Sequence, residues 1–555
     1  MPPIKVFVGA GYAPQPRHVV RRNRFAFGVS MGILLNIALM PIKAYLSEDL
    51  PWTRLQQVPA STNFTEFNTS TLVVFQAAYN AQTLPAGTAF INDNAHSVQL
   101  VREVLNIASH TPVGADDCQN AFLLGKPGVL YYPDSIRDLL CDLAAQNASF
   151  VNITAWHNRG TCVYNTYFSL YIGHQCVWIT AGNALTPIPM RGNEVTITAA
   201  TGAYASIPWL WVKFVFRLVM TLISLRLMWT KYYRHVLALE RLLAERGHRP
   251  DTKALWHYEV IWGDPTAMIL MDPSIATIFA IDFWLSVDVV TLAIMRASQS
   301  EDIPVMLLGF LYLSRTPTRR CALTDKRLKR LKTEHTFVDV DPTLVAIAAT
   351  LYGPMVAWTV GNVGFALVVF HFLFELTVPS ALVYVRFDGC LASTLYTLIL
   401  AIMPVLYGFG MGLVRKAPTI HRDMTSFSSF KFNNIRTRVL FAAMQVLEGR
   451  VPPGVASFGG TMYRLFEINP RYKLCPTISF RSTDCFVYCY EGDAFKEKLR
   501  LGLLSCLDRI LHEPAVAISD ARDASPFAFN QLQMPSEKQP TPTLRLPSAP
   551  TVWCL

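Results

Sequence analysis

The chain of 555 residues is 52% hydrophobic and 16% charged, with a mean hydropathy of +0.28 and a formal charge of +10. Soluble domains carry about 25% charged residues, so the composition argues against an ordinary soluble domain and for a membrane protein. The basic excess does not point to nucleic acid, because the Lys and Arg residues gather beside apolar runs and not on a polar segment.

Residues 1–24 form a basic arm, with Lys5, Arg17, Arg21, Arg22 and Arg24 and no acid. Residues 25–46 follow as an apolar run that exceeds a cleavable signal core, and they read as a signal anchor with a cytosolic N-terminus. Residues 47–206 are polar enough to be a domain inserted between the first two spans. All four N-x-S/T sequons of the chain fall there, at Asn63, Asn68, Asn147 and Asn152, as do Cys118, Cys141, Cys162 and Cys176. Sequons and an even cysteine count together suit an oxidising, lumenal or extracellular compartment and predict a glycoprotein with two disulfide bonds. The expected pairs are Cys118 with Cys141 and Cys162 with Cys176, although four cysteines allow three connectivities.

Within this segment the apolar spacing predicts helices over 95–110 and 134–146, the second with Asp134 as N-cap. The aromatic and β-branched run at 162–180, broken by Gly173, and the alternating run at 193–200 predict strands. The domain is therefore expected to be α+β.

The next apolar run, 207–229, carries Lys213, Arg217 and Arg226. Lys213 and Arg226 lie near its ends, but Arg217 lies near its centre. Lys213 and Arg217 share one helical face, which should turn inward and meet an acid. Candidates are Asp282 and Asp288 in the run 274–295, and Glu375 one helical turn after His371. Residues 230–273 then read as a cytosolic amphipathic helix and linker. The 274–314 stretch reads as a spanning or re-entrant hairpin. The loop at 315–342 is basic, with eight Lys or Arg against one acid over 315–332, and should be cytosolic.

A long or broken span at 343–378 and another at 390–413 complete a mainly α polytopic membrane protein. It has about six transmembrane segments, or four if the 274–314 hairpin is re-entrant, and both termini are cytosolic. Residues 414–512 form a cytosolic region, and 513–555, rich in Pro, Ser and Gln, a disordered tail. Cys475, Cys485, Cys489 and Cys506 contain no CxxC pair, so no metal is assigned to them and no cofactor is implied. "HRDMTSF" at 421–427 has Ser428 where a kinase loop needs Asn, and "GAGYAP" at 9–14 lacks the third glycine of a dinucleotide loop.

The expectation is a non-enzymatic membrane glycoprotein of the secretory pathway or plasma membrane. Its partners would be the bilayer, a ligand or protein at 47–206 and a cytosolic protein at the tail, with no nucleic acid. The alternative is a transporter or channel using Lys213, Arg217, Asp282, Asp288, His371 and Glu375.

Overall fold

The computed structural model describes residues 18–46, 48–52, 64–93, 95–114, 117–126, 128–146, 153–168, 170–186, 193–204, 206–250, 254–286, 303–313, 361–414, 455–476, 478–509, 516–519, 526–537 and 539–555, together with isolated positions between 289 and 359 and at 439. Two large mixed sheets, each with its own core, organise these residues.

The first sheet runs β1 (Val19–Arg22), β7 (Trp256–Ile261), β10 (Cys485–Glu491), β11 (Ala494–Leu503) and β15 (Trp553–Cys554), with β9 (Ala456–Gly459) also on β11. β1 lies parallel to β7, whereas β10 runs antiparallel to both of its neighbours, β7 and β11. Helix α6 (Arg234–Arg246) lays the stripe Val236, Leu239 and Leu243 against the sheet, as residues at three-and-four spacing on one helical face can. The same core takes in Leu465 and Phe466 of the helix at Thr461–Ile468 and Trp553 of β15.

The second sheet has the order β2 (Phe90–Asp93), β3 (Val98–Asn106), β6 (Glu194–Ala203), β5 (Leu170–Ala181), β4 (Gly160–Tyr167) and β8 (Arg386–Asp388). Every pair is antiparallel except β4 with β8. Side chains alternate across a strand with period two, and here both faces are covered. Leu100, Cys162, Cys176, Trp178 and Ala200 face α2 (Phe64–Ala78), meeting Phe67 and Phe75. Val163, Val177, Ile179, Val195 and Ile197 face the other way, onto Ile136, Leu140 and Leu143 of α3 (Asp134–Ala144) and onto Leu367 and Phe374 of the helix at Gly364–Glu375. A third, small sheet joins β12 (Ala517–Ser519), β14 (Thr543–Arg545) and β13 (Gln531–Gln533).

Among the described residues no helix is long and apolar enough to cross a membrane. This overturns the polytopic fold class, the membrane, multi-pass and transmembrane-helix description, and the location as a multi-pass membrane protein. The physical reason lies in how the apolar runs are used. The run at 25–46 gives α1 (Arg24–Ala38), followed by a separate 3-10 turn. The run at 207–229 gives α5 (Ile207–Met228), in which Lys213 and Arg217 are buried with Met220, Ser224 and Met228 on one face. The opposite face of α5 leaves Val212, Val215, Leu218 and Leu222 exposed. The later runs supply α8 (Pro273–Leu285), of 13 residues, and helices of 11 residues at Ile303–Leu313 and 12 at Gly364–Glu375, all short of the roughly 20 that a span needs. The helix at Cys390–Val414 turns Gly408 and Gly412 toward residues 336–337 so closely that a Cβ on Gly412 would collide with the Thr336 carbonyl.

Other expectations change in their local structure. Residues 98–106, read as helix, form β3, because Val98, Val101 and Leu105 satisfy a helical spacing while the segment is paired on both edges. Asp134 is the first residue of α3, and Pro133 holds the N-cap position. The segment 47–206 is not self-contained, since β8 completes its sheet from residue 386 onward. The linker 230–273 contributes β7 to the first sheet, and the tail expected to be disordered supplies β12–β15, with Phe529, Trp553 and Cys554 buried. The basic arm to residue 17, most of the 315–342 loop and residues 415–438 lie outside the described residues.

Candidate functional site

The charged residues singled out from the sequence fall into two clusters, one sealed and one open. The sealed cluster centres on Arg217 in α5. Its Nε donates to Asp282 Oδ1 at 2.8 Å, and its Nη2 donates to Glu48 Oε1 at 2.6 Å and to Ser286 Oγ at 2.7 Å. Lys213 Nζ lies 3.3 Å from Glu48 Oε2, and the Tyr312 hydroxyl lies 2.7 Å from Glu48 Oε1 and 3.0 Å from the Ser286 carbonyl, two acceptors for its one proton. The Tyr45 ring lies 4.8 Å from the guanidinium carbon. Burial by itself would lower the Arg217 pKa, but the Glu48 and Asp282 carboxylates overcome it and raise the value above that of a free guanidinium. All six polar side chains are buried, and the two cations balance the two carboxylates.

The helices dictate this meeting. Lys213 and Arg217 are one turn apart in α5, Asp282 and Ser286 are one turn apart at the end of α8, and the Ser286 hydroxyl donates back to the Asp282 carbonyl. The structure thus joins Lys213, Arg217 and Asp282, and it adds Glu48, Ser286 and Tyr312, which the sequence reading missed. Glu48 was masked by its place in a short polar stretch after α1. Asp288 lies outside the described residues.

His371 and Glu375 stand elsewhere, in the open cluster. They lie on the helix at Gly364–Glu375, one turn apart, and face α3 across a cleft. Arg137 of α3 bridges the two elements: its Nη2 is bonded to Asp134 Oδ1 and lies 3.2 Å from Glu375 Oε1, while its Nη1 lies 3.4 Å from His371 Nδ1. His371 Nε2 donates to the Val129 carbonyl at 3.0 Å. That bond places the proton on Nε2 and leaves Nδ1 as an acceptor facing Arg137, so the imidazole is held neutral. Burial, reinforced by Arg137, lowers the His371 pKa to about 4. On the far wall Arg386 of β8 donates from Nε to Thr166 Oγ1 at 2.9 Å and faces Asp388 at 3.4 Å. Tyr132, Phe374, Phe387, Val378 and Val383 supply the apolar lining.

The four cysteines of the sheet region are placed in two disulfide bonds. Cys118 is bonded to Cys141 and Cys162 to Cys176, the latter pair directly opposed in the β4–β5 register. Of the sequons, Asn68 alone is among the described residues. Its Nδ2 donates to Thr161 Oγ1 at 3.3 Å and its Oδ1 accepts the Cys162 N–H at 2.9 Å, so the amide is turned toward the sheet. Asn63, Asn147 and Asn152 lie outside the described residues.

Cys475, Cys485, Cys489 and Cys506 are buried thiols, and burial raises the Cys485 and Cys506 pKa values to about 12. Among the described residues no group of three or more His, Cys, Asp or Glu side chains converges as a metal site. Set beside known proteins, the chain matches no family model, no curated protein and no solved structure.

Proposed function

We propose that the chain is a binding protein, not an enzyme, and that it takes a small ligand in the cleft between α3 and the helix at Gly364–Glu375. One observation carries this reading: a concave site in which a partly exposed cluster of Asp134, Arg137 and Glu375 stands over an apolar lining of Tyr132, Phe374 and Phe387. Ligand sites commonly combine an apolar wall with a few convergent polar groups that fix orientation. His371 fits a positioning role, because both ring nitrogens are already engaged and its ring ties the helix to the Val129 carbonyl.

The sealed Arg217 cluster supports a structural role. Its charges are balanced and buried, and they join α5 to α8 and to the turn that carries Glu48.

The test is a thermal-shift screen of the full chain against small molecules, repeated on Val383→Trp. Val383 lines the cleft, so an indole there should fill it. Ligands that raise Tm for the parent and not for Val383→Trp support the reading. Equal shifts in both proteins would place the binding elsewhere.

A further inference from the structure

We infer that the chain forms a homodimer in which the outward face of α5 packs antiparallel against the same face of a second copy. The proposal is independent of the cleft and starts from how α5 distributes its side chains.

A solvent-facing helix turns its apolar stripe inward and its charges outward. α5 is reversed. Lys213 and Arg217 are buried, while Trp211, Val212, Val215, Leu218, Val219, Leu222, Leu225 and the following Trp229 stand between 37% and 58% exposed. These eight side chains together expose roughly 800 Å², more than the largest apolar patch of an ordinary monomer and close to what each partner brings to a standard specific interface.

The spacing identifies what covers this face. Trp211, Val215, Leu218, Leu222, Leu225 and Trp229 follow one another at alternating steps of four and three residues, the seam by which two helices interlock as knobs in holes. The seam is also symmetric along the helix. Trp211 and Trp229, Val215 and Leu225, and Leu218 and Leu222 form pairs equally distant from position 220. In an antiparallel pair whose two-fold axis passes beside that position, Trp211 meets the partner's Trp229, Val215 meets the partner's Leu225, and Leu218 meets the partner's Leu222. Each contact is then made twice, as a closed two-fold interface requires.

Charge fixes the direction. No Asp, Glu, Lys or Arg lies on the seam, and Arg226 flanks it. A parallel pair would set the two Arg226 side chains at one level, where like charges oppose association. In the antiparallel pair Arg226 stands level with the partner's Phe214, and the two Arg226 positions are about 18 Å apart along the axis. Lipid is the weaker occupant of this face, because among the described residues no helix is long and apolar enough to cross a membrane.

Sedimentation equilibrium of the full chain, with and without Leu222→Glu, tests the dimer, and thiol cross-linking tests its direction. Leu222 is the most exposed residue of the seam, so its replacement leaves the monomer folded, which circular dichroism checks. The expected mass is twice the 62.2 kDa of the chain for the parent and 62.2 kDa for Leu222→Glu. Val215→Cys and Leu225→Cys, oxidised as a mixture, should give a cross-linked dimer with one chain of each, and Val215→Cys oxidised alone should give none. A monomeric parent overturns the proposal, and so does a dimer that persists in folded Leu222→Glu. Self-linking of Val215→Cys without the mixed product overturns the antiparallel arrangement. If Leu222→Glu is unfolded, the cross-links decide: the mixed product supports the pairing, and its absence overturns it. A monomeric parent that floats with phosphatidylcholine vesicles, and loses that association in Leu222→Glu, overturns the dimer and assigns the face to lipid.

Discussion

Replacing Arg217 with Met should be among the most damaging single changes in the chain. The substitution keeps length and apolar bulk but deletes three hydrogen bonds, to Asp282, Glu48 and Ser286, at 2.8, 2.6 and 2.7 Å. It also converts a balanced group of two cations and two carboxylates into one with an excess negative charge in the interior. Removing one partner of a buried ion pair costs about 3–5 kcal/mol, chiefly through the charge left behind. Glu48 keeps Lys213 and Tyr312, so the loss falls chiefly on Asp282, whose bond to Arg217 Nε is deleted, and about 4 kcal/mol is expected. Asp282→Asn alone should cost less, about 2 kcal/mol, since Arg217 retains Glu48. The double variant, Arg217→Met with Asp282→Asn, restores neutrality and should be more stable than Arg217→Met alone, with a coupling of about 2 kcal/mol. Urea unfolding followed by intrinsic tryptophan fluorescence measures all three. Additive effects would show that the two side chains do not share a buried site. A cost below about 1 kcal/mol for Arg217→Met would show that the guanidinium is solvated.

Acid should destabilise the chain: burial lowers the pKa values of His174, His248 and His371 from 6.5 to about 4, so the unfolded chain binds more protons between these limits and stability is lost as pH falls from 6.5 toward 4. Each shift corresponds to about 3 kcal/mol at most, to be read from urea midpoints across that range, and a flat profile would refute the burial of these rings. Replacing Cys162 and Cys176 together by Ser should cost about 3 kcal/mol, as expected for opening a short loop between residues 14 apart, and calorimetry would show it as a lowered Tm. Thr201→Val should raise stability by about 1 kcal/mol, because the buried Thr201 hydroxyl has no hydrogen-bond partner among the described residues and Val is its near-isostere. A lower urea midpoint for Thr201→Val would mean that the hydroxyl is satisfied.

Local patterns in the sequence were informative where the structure depends on neighbours in the chain. The β4–β5 hairpin with Gly173 inside β5, the helix α3, and the shared face of Lys213 and Arg217 all follow from spacing over a few residues. Segments that answer to distant partners were opaque. β3 obeys a helical spacing as well as a strand one, and only pairing with β2 and β6 decides between them. β8 is three residues long and joins a sheet whose neighbouring strand lies about 220 positions earlier. The cleft is divided in the same way, with Arg137 and Glu375 separated by 238 positions. The membrane reading failed for a related reason. Composition reports how much apolar surface exists, and not whether it is gathered in one long helix or divided among shorter helices and two sheet cores.

The pairing of β7 with β10 bears on how this chain acquires its structure in time. Glu259 and Tyr490, adjacent across that pair, are 231 positions apart, whereas the β4–β5 hairpin closes within about twenty residues. Loop closure of the larger kind costs more entropy before any contact repays it, and topologies rich in such contacts fold slowly. During synthesis β7 has only β1 to pair with until residues 485–503 emerge, so the edge of β7 that β10 will cover stays open meanwhile. At typical elongation rates of about 5–20 residues per second that interval lasts more than ten seconds, long enough for a chaperone to govern the yield.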